Sequence, residues 1–145
     1  MATTITAYNH LSELLAKKLL DLSADTIKVA LVDSGYVFSA AHTVWADASA
    51  DELAAGAGYV AGGETLAGLS ITLAGAQSKW DANDVTWAAA TLTCRRAIAY
   101  LDATVGGKVK PLLFSILFDD TPADVSVAGV DFQIIWAAGG IGTIG

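Results

Sequence analysis

Cysteine is almost absent from this 145-residue sequence, which contains Cys94 alone. One thiol cannot form an internal disulfide, and residues 1–6 lack the basic region followed by an apolar stretch that marks a secretory signal. Arg95 or Arg96 could activate the thiol, but a lone apolar thiol usually packs as a small hydrophobe. We therefore expect Cys94 to be a reduced core residue in a fold stabilised by packing alone.

Basic residues are also scarce. Eight Lys and Arg residues stand against fifteen Asp and Glu residues, which gives a formal net charge of −7. The basic residues are scattered, mostly in pairs, whereas a surface that binds a phosphate backbone needs clustered cations. We therefore expect no nucleic-acid partner.

Long hydrophobic runs are missing, although hydrophobic residues make up 54% of the chain and charged residues only 16%. The longest strongly apolar run, at residues 111–118, is far shorter than the roughly 18–20 residues of a spanning helix, so we expect no membrane segment. An ordinary domain carries about 25% charged residues. The apolar surplus favours burial between subunits, and we expect a homo-oligomer, with a trimer favoured.

Residues suited to chemistry are few. His10 and His42 have no second ligand at the spacing of a metal site. Asp81 and Asp84 lie in the segment DAND, which offers oxygens to calcium but lacks the glycine and the terminal glutamate of a calcium loop. Asp and Asn are also ordinary turn residues. We expect no catalytic residue, no cofactor and no metal site.

Residues 1–22 are predicted to form an N-terminal arm and a helix. Apolar side chains recur there at intervals of three and four, which predicts an amphipathic helix over residues 7–21. This helix could cover the core of its own domain or dock on a neighbouring subunit. The uncharged segment before it could reach beyond the domain as an extended arm.

Residues 23–145 are predicted to form a β-rich domain. Short β-branched runs separated by Gly, Asp and Asn are typical of strands joined by turns, with an apolar central strand near the C-terminal end. The predicted strands are 27–33, 66–73, 84–87, 97–101, 112–118 and 130–136. A long glycine-bearing connection at residues 34–63 could reach a neighbour. The fold class is mainly β, a single β-sandwich or jelly-roll-like domain with an N-terminal amphipathic α-helix.

Most aromatic residues are expected in the core, with a smaller share at an interface. The candidate interface residues belong to the arm, the predicted helix and the long connection. They are Thr3, Thr4, Ile5, Tyr8, Leu11, Leu15, Phe38, Trp45 and Tyr59.

Four sequence blocks resemble a class of small virion proteins of tailed bacteriophages and prophages. The blocks are GYVAGGETL at residues 58–66, WDANDVTWAAATL at 80–92, KPLL at 110–113 and VDFQIIWAAGGI at 130–141. Their order and spacing are similar to those of the class from about residue 27 onward. Many members have Asn after the last tryptophan, where this chain has Ala137.

The resemblance implies a non-enzymatic virion component, and first a head decoration (cement) protein that binds the outer capsid surface as an oligomer and stabilises it. Its implied partners are copies of itself and the major capsid protein or other virion proteins. A neck, tail or fibre-associated virion protein is the alternative. A carbohydrate-binding or hydrolytic surface module is the third reading, and it depends on the aromatic residues together with Asp81 and Asp84.

Overall fold

The structure is a computed structural model that describes residues 3–144, and it is mainly β, with its strands in several antiparallel sheets. Within these residues, one short α-helix and two 3₁₀ turns accompany the strands. The strands are β1 (Thr4–Ala7), β2 (Ile27–Val32), β3 (Glu64–Thr65), β4 (Ser70–Ala74), β5 (Gln77–Asp81), β6 (Val85–Cys94), β7 (Arg96–Leu101), β8 (Thr104–Val105), β9 (Lys108–Val109), β10 (Leu112–Leu117), β11 (Val125–Ile134) and β12 (Gly142–Ile144).

The main sheet has five strands in the order β1-β10-β7-β2-β3. Its three inner strands, β10, β7 and β2, are rich in apolar residues, and nearly all their residues are buried. A strand that is apolar on both faces needs cover on both sides of the sheet. The prediction that residues 112–118 form a central strand is confirmed. β2 is covered on both faces as well, although residues 27–31 alternate apolar with small or polar side chains, a pattern typical of a strand with one face open to water or to a neighbour.

Two smaller sheets contribute to the core on the first face of the main sheet. One is the ribbon β11-β6, and the other has the order β12-β5-β4. Trp80 of β5 stacks on Phe114 of β10 with ring centroids 5.1 Å apart, and Phe132 of β11 meets Phe118 edge-on at 5.6 Å. These aromatic contacts join all three sheets in one hydrophobic cluster.

The second face of the main sheet is covered by the long connection after β2. Trp45, in the 3₁₀ turn Trp45–Asp47, stacks on Tyr100 of β7 at 4.8 Å, and Tyr36 and Ala48 are buried in the same cluster. A second 3₁₀ turn, Ser49–Asp51, follows in the same connection. The first part of the connection therefore packs on the chain's own sheet instead of extending toward a neighbour.

The predicted helix over residues 7–21 is too long. The helix, α1, spans only Leu11–Ala16, with Leu11 and Leu14 buried. It ends because Lys18 takes a left-handed conformation (φ 55°), while the Leu19 N–H donates to the Leu14 carbonyl at 2.9 Å. This is the geometry of a Schellman motif, which usually has glycine in the left-handed position. The sequence has no glycine at the end of α1, and its apolar periodicity continues beyond Ala16. The predicted helix was therefore extended too far.

The predicted free arm is instead an edge strand of its own domain. β1 pairs antiparallel with β10, in a register that places Thr4 opposite Leu117 and Ala7 opposite Phe114. The Thr3 hydroxyl extends this contact by donating to the Phe118 carbonyl at 3.2 Å. Met1, Ala2 and Gly145 lie outside the described residues.

The other predicted strands are present in the structure, but their lengths differ from the prediction. β6 and β11 are ten residues each, whereas the sequence predicts only their ends at 84–87 and 130–136. Both strands contain irregularities near their middles, where Ala89 (φ 47°) and Gly129 (φ 67°) interrupt the alternation used to recognise a strand. The short strands β3, β8, β9 and β12 carry no such alternation and were missed, as was β5.

Candidate functional site

The residues with reactive side chains serve the fold. His10 Nε2 donates to the Leu112 carbonyl at 2.6 Å, and His42 Nδ1 lies 2.9 Å from the Tyr36 hydroxyl. Cys94 is fully buried, as predicted, and burial raises the pKa of its thiol to about 12, with a smaller contribution from Asp124. A thiol that stays protonated at neutral pH is a poor nucleophile.

The carboxylates of the DAND segment bind backbone amides nearby. Asp81 Oδ1 accepts from the Ala82 N–H at 2.9 Å, and Asp84 Oδ1 accepts from the Trp136 N–H at 3.0 Å. Within residues 3–144, no group of three or more His, Cys, Asp or Glu side chains is arranged to hold a metal ion. Asp84 therefore connects the turn before β6 to the end of β11.

Buried tyrosines fasten the long connection to the main sheet. The Tyr59 hydroxyl donates to Glu52 Oε1 at 2.8 Å and accepts from the Leu31 N–H at 3.1 Å. The Tyr100 hydroxyl donates to the Gly62 carbonyl at 2.6 Å. Burial raises the pKa of Tyr59, and it raises the pKa of Tyr100 to about 12, so both hydroxyls remain donors at neutral pH.

An apolar groove opens between the main sheet and the β6-β11 ribbon. Its volume is about 570 Å³, and Ile5 of β1 and Phe118 beyond β10 line it from one side. Val127, Phe132 and Ile134 of β11 line it from the other. β1 and β11 each pair with a single strand, so the groove runs between two strand edges that bind no other strand of residues 3–144. Its lining residues include no charged side chain.

The hairpin β4–β5 carries a second uncharged surface. Every residue from Ile71 to Gln77 is exposed, although Ile71 borders a shallow pocket that is also lined by Leu15 and Leu22. Leu73 has 79% of its surface exposed and Ile71 has 39%. No charged residue occurs between Glu64 and Lys79. The hairpin tip, defined as residues 71–77, is thus an uncharged, partly apolar projection.

The outer face of the β6-β11 ribbon is also poor in charge. Its only acidic residue, Asp131, accepts from the Ala89 N–H through Oδ1 at 2.9 Å, which satisfies the backbone at the irregularity in β6. Thr91 does the same for the Gly129 N–H. Val130 of β11 has 55% of its surface exposed, and Ile135, just beyond the end of β11, has 69% exposed.

The predicted interface residues separate into two groups. Tyr8, Leu11, Trp45 and Tyr59 are buried in the chain's own clusters, and Leu15 and Phe38 pack partly against them. Thr3, Thr4 and Ile5 are exposed on or beside β1, and two of these, Thr3 and Ile5, line the groove. Of the predicted interface residues, the three in the arm are exposed, whereas Leu15 and Phe38 are half-buried.

Sequence reasoning missed both the groove and the hairpin tip. A charge-free stretch at residues 65–78 in an acidic chain was the available signal for the hairpin. The groove had no comparable signal, because β1 and β11 are more than a hundred residues apart and meet only in the folded chain.

No family model matches the chain, and neither the curated proteins nor the solved structures include one detectably similar to it. Among residues 3–144, no helix has the length and apolar character needed to cross a membrane.

Proposed function

We propose that this chain is a non-enzymatic structural protein of a bacteriophage virion, a capsid decoration protein that binds the outer shell as an oligomer and stabilises it. The sequence blocks at residues 58–66, 80–92, 110–113 and 130–141 support this assignment by their resemblance to small phage virion proteins. The proposed partners are other copies of the chain and the major capsid protein.

One structural observation carries the proposal: the chain, whose net charge is −7, presents an open apolar groove and an uncharged, partly apolar hairpin tip at its surface. Exposed apolar surface of this kind is typical of protein–protein contact sites. Strand edges that bind no other strand add backbone donors and acceptors, which a partner strand can pair with. These features suit a protein whose work is to hold other proteins together.

We further interpret the main sheet, the β6-β11 ribbon and the β12-β5-β4 sheet together as an open sandwich of jelly-roll type. The main sheet is one layer, and the ribbon together with the β12-β5-β4 sheet is the other, because side chains from both layers share one hydrophobic cluster. The groove then lies along the side on which the sandwich does not close. A net charge of −7 favours the outside of the shell over the side that faces packaged DNA.

Copy number in purified virions tests the assignment. A decoration protein is expected at hundreds of copies per head, and the purified chain should rebind capsids stripped of it and raise the temperature at which they rupture. About six or twelve copies per particle, as for a symmetric ring, would indicate the neck or tail protein instead. Absence from virions, together with no binding to bare capsids, would remove both assignments.

A further inference from the structure

We propose that the hairpin tip of one copy, residues 71–77, docks in the groove between β1 and β11 of a second copy. This inference deepens the proposed self-association and rests on it. The hairpin is the donor surface and the groove is the acceptor surface. Each copy then carries both halves of the contact.

Charge distribution favours this pairing over contacts between the acidic faces of the molecule. The chain carries fifteen acidic and eight basic residues, so contact between two arbitrary faces tends to oppose carboxylates. The groove lining and residues 65–78 are both uncharged. Apolar contact between them removes Leu73 and Ile71 from water without burying an ion.

The exposed strand edges also suit this contact. The base of the hairpin is held by β12, which pairs with β5 at residues 78–80, whereas the tip extends beyond that pairing and leaves Leu73 in water. β4 is an edge strand of its sheet, and β1 and β11 are edge strands beside the groove. Backbone groups are therefore free on both sides of the contact to pair as strands.

The two surfaces differ from each other, so the contact is heterologous. A heterologous contact repeated from copy to copy closes into a ring when the rotation allows and forms an open chain otherwise. A closed ring is consistent with the trimer that the sequence favours. It also leaves the other faces of each copy free to meet a shell.

Three glutamate substitutions at exposed sites test the proposal. Leu73→Glu changes the hairpin tip, and Ile135→Glu changes the rim of the groove, where the side chain is 69% exposed. Val37→Glu is the matched control, because Val37 is as exposed as Leu73, at 79%, and lies in neither surface. Analytical ultracentrifugation should show that each of the first two weakens association at least about tenfold and that the control does not.

Mixing the two defective variants gives the sharpest result. The Leu73→Glu copy keeps an intact groove, and the Ile135→Glu copy keeps an intact hairpin. One productive contact is then possible between them, so the mixture should form a complex of one copy of each and nothing larger. A symmetric contact that uses the same surface twice cannot give this outcome.

Several results would overturn the inference. A monomeric wild-type chain at millimolar concentration, unchanged association of Ile135→Glu, or no complex in the mixture each contradicts hairpin-to-groove docking. Circular dichroism checks that every variant is folded.

As a second measurement, Leu73→Cys and Ile135→Cys together in a Cys94→Ser background should form a disulfide between copies under mild oxidation. If hairpin-to-groove docking is contradicted but the wild-type chain binds capsids, the decoration assignment still stands. If the wild-type chain does not bind capsids, the decoration assignment is contradicted whatever the outcome for docking.

Discussion

A close backbone approach constrains one glycine at the edge of the main sheet. Gly63 has φ 78° and precedes β3, which pairs with β2. A methyl group added at Gly63 would overlap the Val29 carbonyl, which belongs to the buried core of the main sheet. Gly75 has a similar φ of 66°, but a methyl group there meets open space at the end of β4.

Gly63→Ala should therefore destabilise the protein far more than Gly75→Ala. We expect a loss of about 3 kcal/mol or more at position 63, from backbone strain and overlap together, and about 1 kcal/mol at position 75, from strain alone. Urea denaturation followed by tryptophan fluorescence measures both. Equal losses would mean that the main sheet shifts to admit the methyl group.

At the scale of elements, α1 ends through geometry that its sequence does not favour. Lys18 occupies the left-handed position of the Schellman motif, which costs a residue with a Cβ about 1–2 kcal/mol. Ala16 immediately before the turn is an ordinary helical residue. Glycine should then have opposite effects at these two neighbouring positions.

Lys18→Gly should raise the free energy of unfolding by about 0.5 kcal/mol, because relief of strain exceeds the added chain entropy. Ala16→Gly should lower it by roughly 0.5–1 kcal/mol. Thermal denaturation at matched salt compares the two variants. Destabilisation by Lys18→Gly would show that the lysine side chain itself contributes to this end of the helix.

The pairing of β1 makes a second prediction about an element. The Tyr8 N–H donates to the Leu113 carbonyl at 3.0 Å, and the alternation of an antiparallel ladder then turns the Thr6 N–H toward β10 and the Ile5 N–H outward. Thr6→Pro removes a ladder hydrogen bond and should cost about 1 kcal/mol or more, whereas Ile5→Pro removes none.

Thermal denaturation of the two proline variants measures the difference. Equal tolerance of both would indicate that residues 4–7 are not held in the sheet in solution, and that the arm is free as the sequence alone suggested. The comparison is matched because both substitutions fall in the same edge strand and change the same backbone torsion.

For the whole molecule, two-sided cover of the main sheet accounts for much of the unusual composition. One cluster lies between the three sheets, and the other lies under residues 33–53, so the inner strands need apolar residues on both faces. Part of the apolar surplus in the composition therefore lies in the chain's own core and not at an interface. The remainder is concentrated at the groove, the ribbon and the hairpin tip.

Burial of these side chains predicts a loss of stability in alkali. The Cys94 pKa is raised to about 12 by burial, whereas an unfolded thiol titrates near about 8.5. Above that lower value the unfolded state releases a proton that the folded state keeps. The stability contribution is thus complete below about pH 8 and should fall by about 1.4 kcal/mol per pH unit as the pH rises toward 12.

Urea denaturation at pH 7.5 and 9.5 tests this, with Cys94→Ala as the control. Cys94→Ala lacks the thiol, so its stability should change little until the tyrosines titrate near about pH 10. The buried Tyr100, whose pKa is also raised to about 12 by burial, adds to the loss at higher pH in both proteins. Identical pH dependence of the two proteins at pH 7.5–9.5 would contradict the assigned thiol pKa.

The sequence by itself determined the mainly β fold class and the buried strand at residues 112–117, because that run is apolar on both faces and is buried wherever the sheet places it. It also determined that Cys94 is a core residue. Tertiary structure decided where α1 ends, since Lys18 takes a conformation that local propensity disfavours. It made the arm an edge strand by pairing it with β10, and it made the groove by bringing β1 beside β11. Strand edges and the spaces between sheets depend on contacts between distant residues, which have no local pattern to reveal them.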